Sequence, residues 1–134
     1  MFWILPSVAI AIHDRQLAEH GGRQGIRDTA LLESALARPQ QLHAHAGSKA
    51  GVAALAASVA TGLVRNMPFV DGNKRTAHVC YRTFLGRNCV ALDAPDSEKF
   101  LQMIGLAAGT VSEEELAGWL RRYIRDSVAI HISC

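Results

Sequence analysis

The stretch of sequence that decides the fold is residues 50–64, which read AGVAALAASVATGLV. It contains no charged residue, and its apolar residues occupy nearly every side of a helix instead of a single stripe. At 15 residues it is shorter than the roughly 20 that cross a bilayer. We therefore predict a buried helix over residues 48–66 in the middle of a bundle, and no membrane anchor.

Apolar residues recur at helical spacing through most of the remaining chain, which predicts an all-α fold. The first helix is expected over residues 6–20, because a pair of glycines follows it. A second helix is expected to begin after the N-cap Asp28 and to stop before Pro39, since proline disfavours a helical conformation in the residue before it. Residues 39–47 are therefore predicted to be a loop.

The second half of the chain is expected to add three helices. One spans residues 73–87, a short extended segment covers residues 90–92, and a fifth helix begins at Pro95. Ser112 and Glu115 form a capping box at the start of a sixth helix. Its apolar stripe comprises Leu116, Trp119, Leu120, Tyr123 and Ile124, and its solvated side comprises Arg121, Arg122 and Arg125. The prediction is a compact six-helix bundle around the buried central helix.

Length and composition limit the class of protein. A chain of 134 residues fits one domain, here residues 1–134, and 49% hydrophobic against 19% charged residues excludes intrinsic disorder. A net charge of +2 is too small to indicate a nucleic-acid binder, so no direct nucleic-acid contact is expected. Three cysteines without metal-ligand spacing argue against a disulfide scaffold or zinc site and favour free thiols. Without a basic segment typical of a signal peptide, the expected location is the cytoplasm.

The chemistry is concentrated in residues 67–76, which read MPFVDGNKRT. Gly72 permits a sharp entry into the fourth helix, whose first N–H groups have no partner within the helix and point outward as an anion site. Lys74 and Arg75 add positive charge where the helix dipole is already positive, which is unfavourable unless an anion binds there. The segment therefore predicts a phosphate site.

Asp71 and Asn73 extend this prediction. Mg²⁺ in proteins typically takes one or two carboxylates together with phosphate oxygens and waters, and Asp71 lies directly before the anion site. Asn73 is suited to capping the helix, to contacting phosphate, or to both. The alternative is an ordinary Asp-Gly-Asn turn followed by a solvated helix start.

The same segment resembles the motif of the Fic/Doc family, His-x-Phe-x-Asp/Glu-Gly/Ala-Asn-Gly/Lys-Arg. The matching residues are Phe69, Asp71, Gly72, Asn73, Lys74 and Arg75. At about one in twenty per position, these six specified residues at this spacing arise by chance in roughly one chain in a few hundred thousand. Residues 25–28 and 31–39 are also similar to the amino-terminal part of the death-on-curing (Doc) branch. The resemblance covers nearly the whole chain and implies a Fic/Doc-type bundle.

The resemblance implies a toxin of a toxin–antitoxin pair that uses ATP and Mg²⁺ to transfer phosphate to a Thr or Ser hydroxyl of a translation factor. Elongation factor Tu is the expected target, and a Phd-like antitoxin is the expected partner. In this interpretation Asp71 is the metal ligand, and Lys74 and Arg75 hold phosphates. Arg65 matches a basic position of the Doc branch and adds a phosphate contact. Lys74 stands where adenylyltransferases of the family usually have Gly, and His78 where they have a second Arg, which favours phosphate transfer.

One position departs from the motif. The catalytic His of the family, which takes the proton from the target hydroxyl, corresponds to Met67, and a thioether cannot act as a general base. Losing such a base costs about 10²–10⁴ in rate, so the chain as written is expected to be nearly inactive. Two alternatives remain, namely AMP transfer by a Fic-type adenylyltransferase and a non-catalytic pseudoenzyme that binds the antitoxin.

The net charge is unevenly distributed along the chain. Within residues 65–87, five cations accompany one acid, Asp71, so this stretch carries +4 and the rest of the chain carries −2. Arg75, His78 and Arg82 fall along one face of the predicted fourth helix. The excess predicts a phosphate-sized site on an otherwise slightly acidic bundle.

Overall fold

The computed structural model describes residues 1–126, which form six α-helices and two short strands. The helices are α1 (Pro6–His20), α2 (Thr29–Ala46), α3 (Gly51–Asn66), α4 (Asn73–Arg87), α5 (Asp96–Ala108) and α6 (Glu113–Tyr123). A short 3-10 turn at Gly47–Lys49 joins α2 to α3, and the strands β1 (Val90–Leu92) and β2 (Ile124–Asp126) flank α5 and α6. The predicted all-α bundle, with an extended segment at residues 90–92, is confirmed.

α3 is the buried centre of the bundle, as its sequence predicts. Its residues Leu55, Ala56, Val59, Ala60 and Leu63 are each at most 1% exposed. α2, α4, α5 and α6 contact α3, and α1 packs on α4. A helix that is apolar all round is stable only when neighbours cover it on every side, so α3 dictates where the other helices lie. Neither α3 nor any other helix within residues 1–126 has the length and apolar character needed to span a bilayer.

α2 and α3 approach each other closely at Gly62. A Cβ atom added there would lie 3.0 Å from the carbonyl oxygen of Ala35 and 3.2 Å from its Cβ, closer than ordinary van der Waals contact. Glycine therefore lets the two backbones meet without displacement. Arg38 of α2 donates from Nη1 to the Ser58 carbonyl (3.0 Å) and from Nη2 to the Glu113 carboxylate (2.7 Å). These bonds tie α2, α3 and α6 together.

α2 continues past Pro39, so the prediction of a loop over residues 39–47 is wrong. Pro39 lacks the N–H that would donate to the Ala35 carbonyl, and inside an exposed helix this loss costs about 3 kcal/mol. Here the proline is buried in the bundle, and burial of its apolar surface offsets the loss. The helix ends at Ala46, and the C-cap residue Gly47 has a φ of 58° and donates its N–H to the His43 carbonyl.

The two strands form a small antiparallel sheet. β1 pairs with β2 in the register Val90↔Asp126, Ala91↔Arg125 and Leu92↔Ile124. The prediction that Ile124 and Arg125 continue the sixth helix is wrong, because α6 ends at Tyr123. A lone strand leaves backbone groups unpaired, and β1 offers residues 124–126 the partners that a further helical turn would have supplied. The Asp93 N–H, which donates to the Tyr123 carbonyl (2.8 Å), extends the pairing.

The cysteines have different environments. Cys80 is a free thiol in the core, where burial raises its pKa to about 12. Such a thiol stays protonated at neutral pH and packs as a small apolar side chain. Cys89 is disulfide-bonded, so the prediction of free thiols is wrong for this residue. Cys134 lies outside the described residues.

Replacing Gly62 by alanine is expected to destabilise the protein by about 1 kcal/mol or more, because the new Cβ must displace the Ala35 backbone. Gly118 is the matched control, since it lies inside α6 and a Cβ there meets no atom within 4 Å. Gly118→Ala is expected to stabilise by about 0.5–1 kcal/mol, because alanine favours a helix. Urea unfolding measures both effects. Equal effects of the two substitutions would contradict the close approach of α2 and α3.

Candidate functional site

Residues 67–72 connect α3 to α4, and we call them the motif loop. A cavity of about 430 Å³ lies beside this loop. Its lining is formed by Val64, Met67, Val70, Asp71, Gly72, Asn73, Lys74, Arg75, Phe100 and Ala107. The residues predicted for the site therefore come together in one cavity, with a single exception. Arg65 is exposed in the last turn of α3 and is not part of the lining.

α4 begins at the cavity, and no side chain caps its N-terminus. Gly72 is the N-cap residue and has a φ of 76°, a left-handed conformation that favours glycine. No acidic residue lies in the first turn, and no side chain within residues 1–126 accepts a hydrogen bond from the N–H groups of this turn. Lys74 is exposed in this turn and adds further positive charge. This arrangement is the one that the predicted phosphate site requires.

Asn73 braces the motif loop instead of capping the helix. Its Nδ2 donates to the Phe69 carbonyl (3.0 Å), and its Oδ1 accepts from the Phe69 N–H (3.0 Å). Phe69 is 1% exposed, so its backbone groups depend on these bonds in place of water. The expectation that Asn73 caps the helix is wrong, because the side chain turns back to the loop. A phosphate contact by Asn73 stays a prediction.

Asp71 presents an ionised carboxylate that the backbone orients. Oδ2 accepts from the Arg23 N–H (3.1 Å), and Oδ1 accepts from the Gly72 N–H (2.9 Å). The two hydrogen bonds hold the pKa of Asp71 below its usual value, and the bond from the Arg23 N–H has the larger effect. Each oxygen retains a second lone pair. A charged oxygen ligand beside Lys74 and Arg75 is a donor set that fits Mg²⁺ shared with phosphate.

Met67 follows α3 and lines the cavity. It has a φ of 46° and a ψ of 58°, and it is 53% exposed. Arg27 holds this backbone conformation, because its Nε donates to the Met67 carbonyl (2.8 Å) and its Nη2 to the Asn66 carbonyl (2.6 Å). Carbonyls at the end of a helix have no partner within it, so Arg27 caps α3. Arg27 thereby sets the direction in which residue 67 leaves the helix.

α5 supplies a wall of the site that sequence reasoning missed. The guanidinium carbon of Arg75 lies 4.7 Å from the centre of the Phe100 ring, within the range of a cation–π contact. The His78 ring meets the same phenyl ring edge-on, at 5.5 Å between centroids. Phe100 therefore holds Arg75 at the cavity. No motif marks Phe100 in the sequence, where only its place in the apolar pattern of the fifth helix is visible.

The predicted basic face of α4 contains a neutral residue. His78 lies one turn of the helix after Arg75. Its Nε2 is 3.3 Å from Arg82 Nη1. Burial, and after it the charge of Arg82, lowers the pKa of His78 to about 4. His78 is therefore uncharged at neutral pH, and it does not line the cavity. The positive charge at the cavity comes from Lys74 and Arg75.

The connection between α1 and α2 lies against the motif loop, around an antiparallel bridge between Ile26 and Phe69. The Arg27 and Asp28 N–H groups donate to the Pro68 carbonyl (2.7 and 3.1 Å), and the Val70 N–H donates to the Gly25 carbonyl (3.0 Å). In the sequence, residues 25–28 stand out by their likeness to the Doc branch and by Asp28, the predicted N-cap of the second helix, whose side chain accepts from the Leu31 N–H in the structure. In the structure they support the loop that carries the candidate metal ligand.

Comparisons with known proteins agree with the motif. A model of the Fic/DOC family matches residues 3–85, which is more than half of the chain and includes the motif loop. Over 120 residues the chain is 32% identical to "Protein kinase doc" of Escherichia phage P1, and this alignment covers 89% of the chain and 93% of that protein. Over 74 residues it is 42% identical to "Toxin Doc" of Mycolicibacterium smegmatis, covering 55% of the chain and 57% of that protein. The resemblance inferred from the sequence is confirmed.

Asn73→Ala is expected to lower the free energy of unfolding by about 2–3 kcal/mol, because it leaves the buried Phe69 N–H and carbonyl without partners. Asn73→Asp keeps the acceptor for the Phe69 N–H but sets a carboxylate oxygen against the Phe69 carbonyl, so it should also destabilise the protein. Urea unfolding of the two variants gives both values. If Asn73→Ala were as stable as the native chain, the two hydrogen bonds would not be what holds the motif loop.

Proposed function

The chain belongs to the Fic/DOC family, and from this premise we propose that it is a Doc-like toxin of a toxin–antitoxin pair. Its reaction would be phosphate transfer from ATP to a Thr or Ser hydroxyl of a translation factor in the cytoplasm, with elongation factor Tu as the expected target. The observation that carries the proposal is the cavity that unites Asp71, Lys74 and Arg75 at the uncapped N-terminus of α4. The names of two relatives, a protein kinase and a toxin, support it.

Different residues of the cavity would bind the metal ion and the phosphates. Mg²⁺, when bound, neutralises and orients phosphate oxygens, and Asp71 would hold it through its ionised carboxylate. Lys74 and Arg75 would bind phosphates through charge-assisted hydrogen bonds. The N–H groups that follow Gly72 would bind further phosphate oxygens. Arg65, exposed at the end of α3, is proposed as a phosphate contact outside the cavity lining.

Lys74 favours phosphate transfer over AMP transfer. Its side chain lines the cavity in the first turn of α4, where glycine would leave room for the α- and β-phosphates. A long cation in that space favours a nucleotide that presents its γ-phosphate to the target. AMP transfer is the alternative reaction, and the chemical identity of the product distinguishes the two.

Met67 limits the proposed reaction because it cannot accept the proton of the target hydroxyl. Transfer forms a bond between the target hydroxyl oxygen and the γ-phosphorus and breaks the bond from that phosphorus to the bridging oxygen of the leaving ADP. The hydroxyl proton needs an acceptor, and the Met67 sulfur is too weak a base to take it. We therefore expect the chain to bind nucleotide and to turn over very slowly.

The second candidate function is a non-catalytic binding module, and the same Met67 favours it. A chain that lacks the base but keeps the fold can still bind a Phd-like antitoxin and so compete with an active toxin for it. Both functions share this antitoxin as the expected partner. Nucleotide binding separates them, because a module that only titrates the antitoxin has no need of ATP.

Met67→His is expected to raise the rate of target modification by about 10²–10⁴, because it supplies a proton acceptor at the cavity. The measurement is incorporation of label from ATP into elongation factor Tu, followed by mass spectrometry of the product. Met67→Gln is the matched control, since it changes the polarity of the side chain without adding a base.

The chemical identity of the product shows which group is transferred. A phosphate adduct on the target supports the proposal, whereas an AMP adduct would replace it with adenylyl transfer. If Met67→His still bound ATP but modified the target no faster than the native chain, residue 67 would not be the position of the missing base.

The chain as it stands is expected to bind ATP in a manner that depends on Mg²⁺. Asp71→Asn should raise the Mg²⁺ concentration for half-saturation by at least about tenfold, because it removes the charged ligand. Asp93→Asn is the control, since Asp93 is exposed and does not line the cavity. Calorimetric titration measures both. A native chain that bound no ATP with Mg²⁺ would favour the binding module.

A further inference from the structure

His13 of α1 is a buried imidazole beneath the motif loop, and the proposed reaction gives it no part. It is 2% exposed. Its Nε2 lies 2.8 Å from the Asp71 carbonyl oxygen. Its ring stacks on the Phe69 ring, with 3.9 Å between centroids and 6° between planes. One side chain from α1 therefore contacts both ends of the segment 69–71, across 58 residues of sequence between His13 and Asp71.

The direction of this hydrogen bond follows from its acceptor. A carbonyl oxygen only accepts, so the His13 Nε2 carries a hydrogen and donates it. The other ring nitrogen, Nδ1, lies 3.8 Å from the carboxylate of Asp14, which is exposed. The stack on Phe69 fixes the plane of the ring, and the hydrogen bond fixes its rotation. His13 is thus a rigid donor aimed at one carbonyl of the loop.

The Asp71 carbonyl belongs to the peptide unit that also orients the Asp71 carboxylate. This unit contains the Gly72 N–H, which donates to Asp71 Oδ1 (2.9 Å). Its oxygen is held by His13 at the opposite side. Rotation of the unit would break both bonds together, and glycine, which has a φ of 76° at position 72, resists such a rotation less than other residues do. The hydrogen bond from His13 therefore opposes the motion that would release the carboxylate.

We propose that His13 is a positioning residue that holds the Asp71 carboxylate in the orientation required of a Mg²⁺ ligand. The inference rests on the proposed function, because it assigns Asp71 to the metal. Partners that orient metal ligands commonly change metal affinity by about 10–100-fold when they are removed. The competing interpretation is that His13 only fills space under Phe69.

Two substitutions separate the hydrogen bond from the packing. His13→Phe keeps an aromatic ring against Phe69 but removes the donor and leaves the Asp71 carbonyl without it. His13→Gln removes the ring but places an amide N–H near the former position of Nε2. Positioning predicts that the Phe variant is impaired and that the Gln variant is close to native. Space filling predicts the reverse order.

The first measurement is a Mg²⁺ titration of ATP binding by calorimetry. His13→Phe is expected to raise the Mg²⁺ concentration for half-saturation by about tenfold, whereas His13→Gln should remain within about threefold of the native chain. Binding of ATP without Mg²⁺, through Lys74 and Arg75, should change by less than about twofold in both variants, because a hydrogen bond outside the phosphate contacts can be lost while those contacts stay in place. A purely structural defect would weaken both kinds of binding together.

The second measurement needs no nucleotide. Amide hydrogen exchange at Gly72 should be about tenfold faster in His13→Phe than in the native chain and nearly native in His13→Gln, because this N–H is released when the peptide unit rotates. Exchange in α3 should be unchanged. If His13→Phe does not fold, His13→Gln is the test. Near-native Mg²⁺ dependence in this variant supports the proposal, and loss of Mg²⁺ dependence, with the donor still present, overturns it.

The measurements distinguish failure of the His13 proposal from failure of the proposed function. A native chain without Mg²⁺-dependent binding of ATP overturns the function, and with it the role of His13 toward the metal. A native chain that binds, with a His13→Phe variant that keeps both the native Mg²⁺ dependence and the native exchange at Gly72, overturns the positioning role alone. Equal weakening with and without Mg²⁺ also overturns it.

Discussion

Because α3 is buried along most of its length, the helices around it have little freedom in where they lie. An apolar helix without a solvent face must be covered on every side, and small residues such as Gly62 let its neighbours approach to backbone contact. The last turn of α3 is thereby fixed relative to α4. The motif loop has to span this fixed gap, so the geometry of the site follows from the packing of a helix that contributes few of its groups.

The motif loop is irregular but not loosely held. Its carbonyl groups are bound by donors from three other parts of the chain, namely Arg27, His13 and Asn73. The exposed Lys74, in contrast, is free to adjust to a ligand. A site built in this way fixes the acidic group in advance and leaves one cation adaptable. Fixing the acid in advance reduces the reorganisation that binding a metal and a phosphate would otherwise require.

Local rules predicted most of the fold. Periodicity and end signals identified α1, α3 and α4, and the capping box at Ser112 and Glu115 is present as expected. The errors occur where distant contacts outweigh local preference. Pro39 stays helical because it is buried, and Ile124 becomes a strand because β1, far away in the sequence, offers it backbone partners.

The candidate site shows the same division between local and distant effects. The motif predicted a phosphate site within residues 67–75, and all of these residues except Pro68 and Phe69 line one cavity together with Phe100 and Ala107 of α5. The partners that support the loop were not visible, because nothing in the sequence near His13 or Arg27 indicates the carbonyl that each will meet. Of the two roles predicted for Asn73, the helix cap is absent because the side chain bonds back to Phe69, and the phosphate contact stays a prediction.

The contacts that shape the motif loop join residues far apart in the chain, with separations of 58 residues for His13 to Asp71 and 40 for Arg27 to Met67. Contacts of this kind close long loops of chain and form late, after the helices have formed locally. During synthesis, α1 leaves the ribosome well before the residue that it will hold. The protein is therefore made without its candidate site and acquires it only when α4 docks against the helices that precede it in the chain.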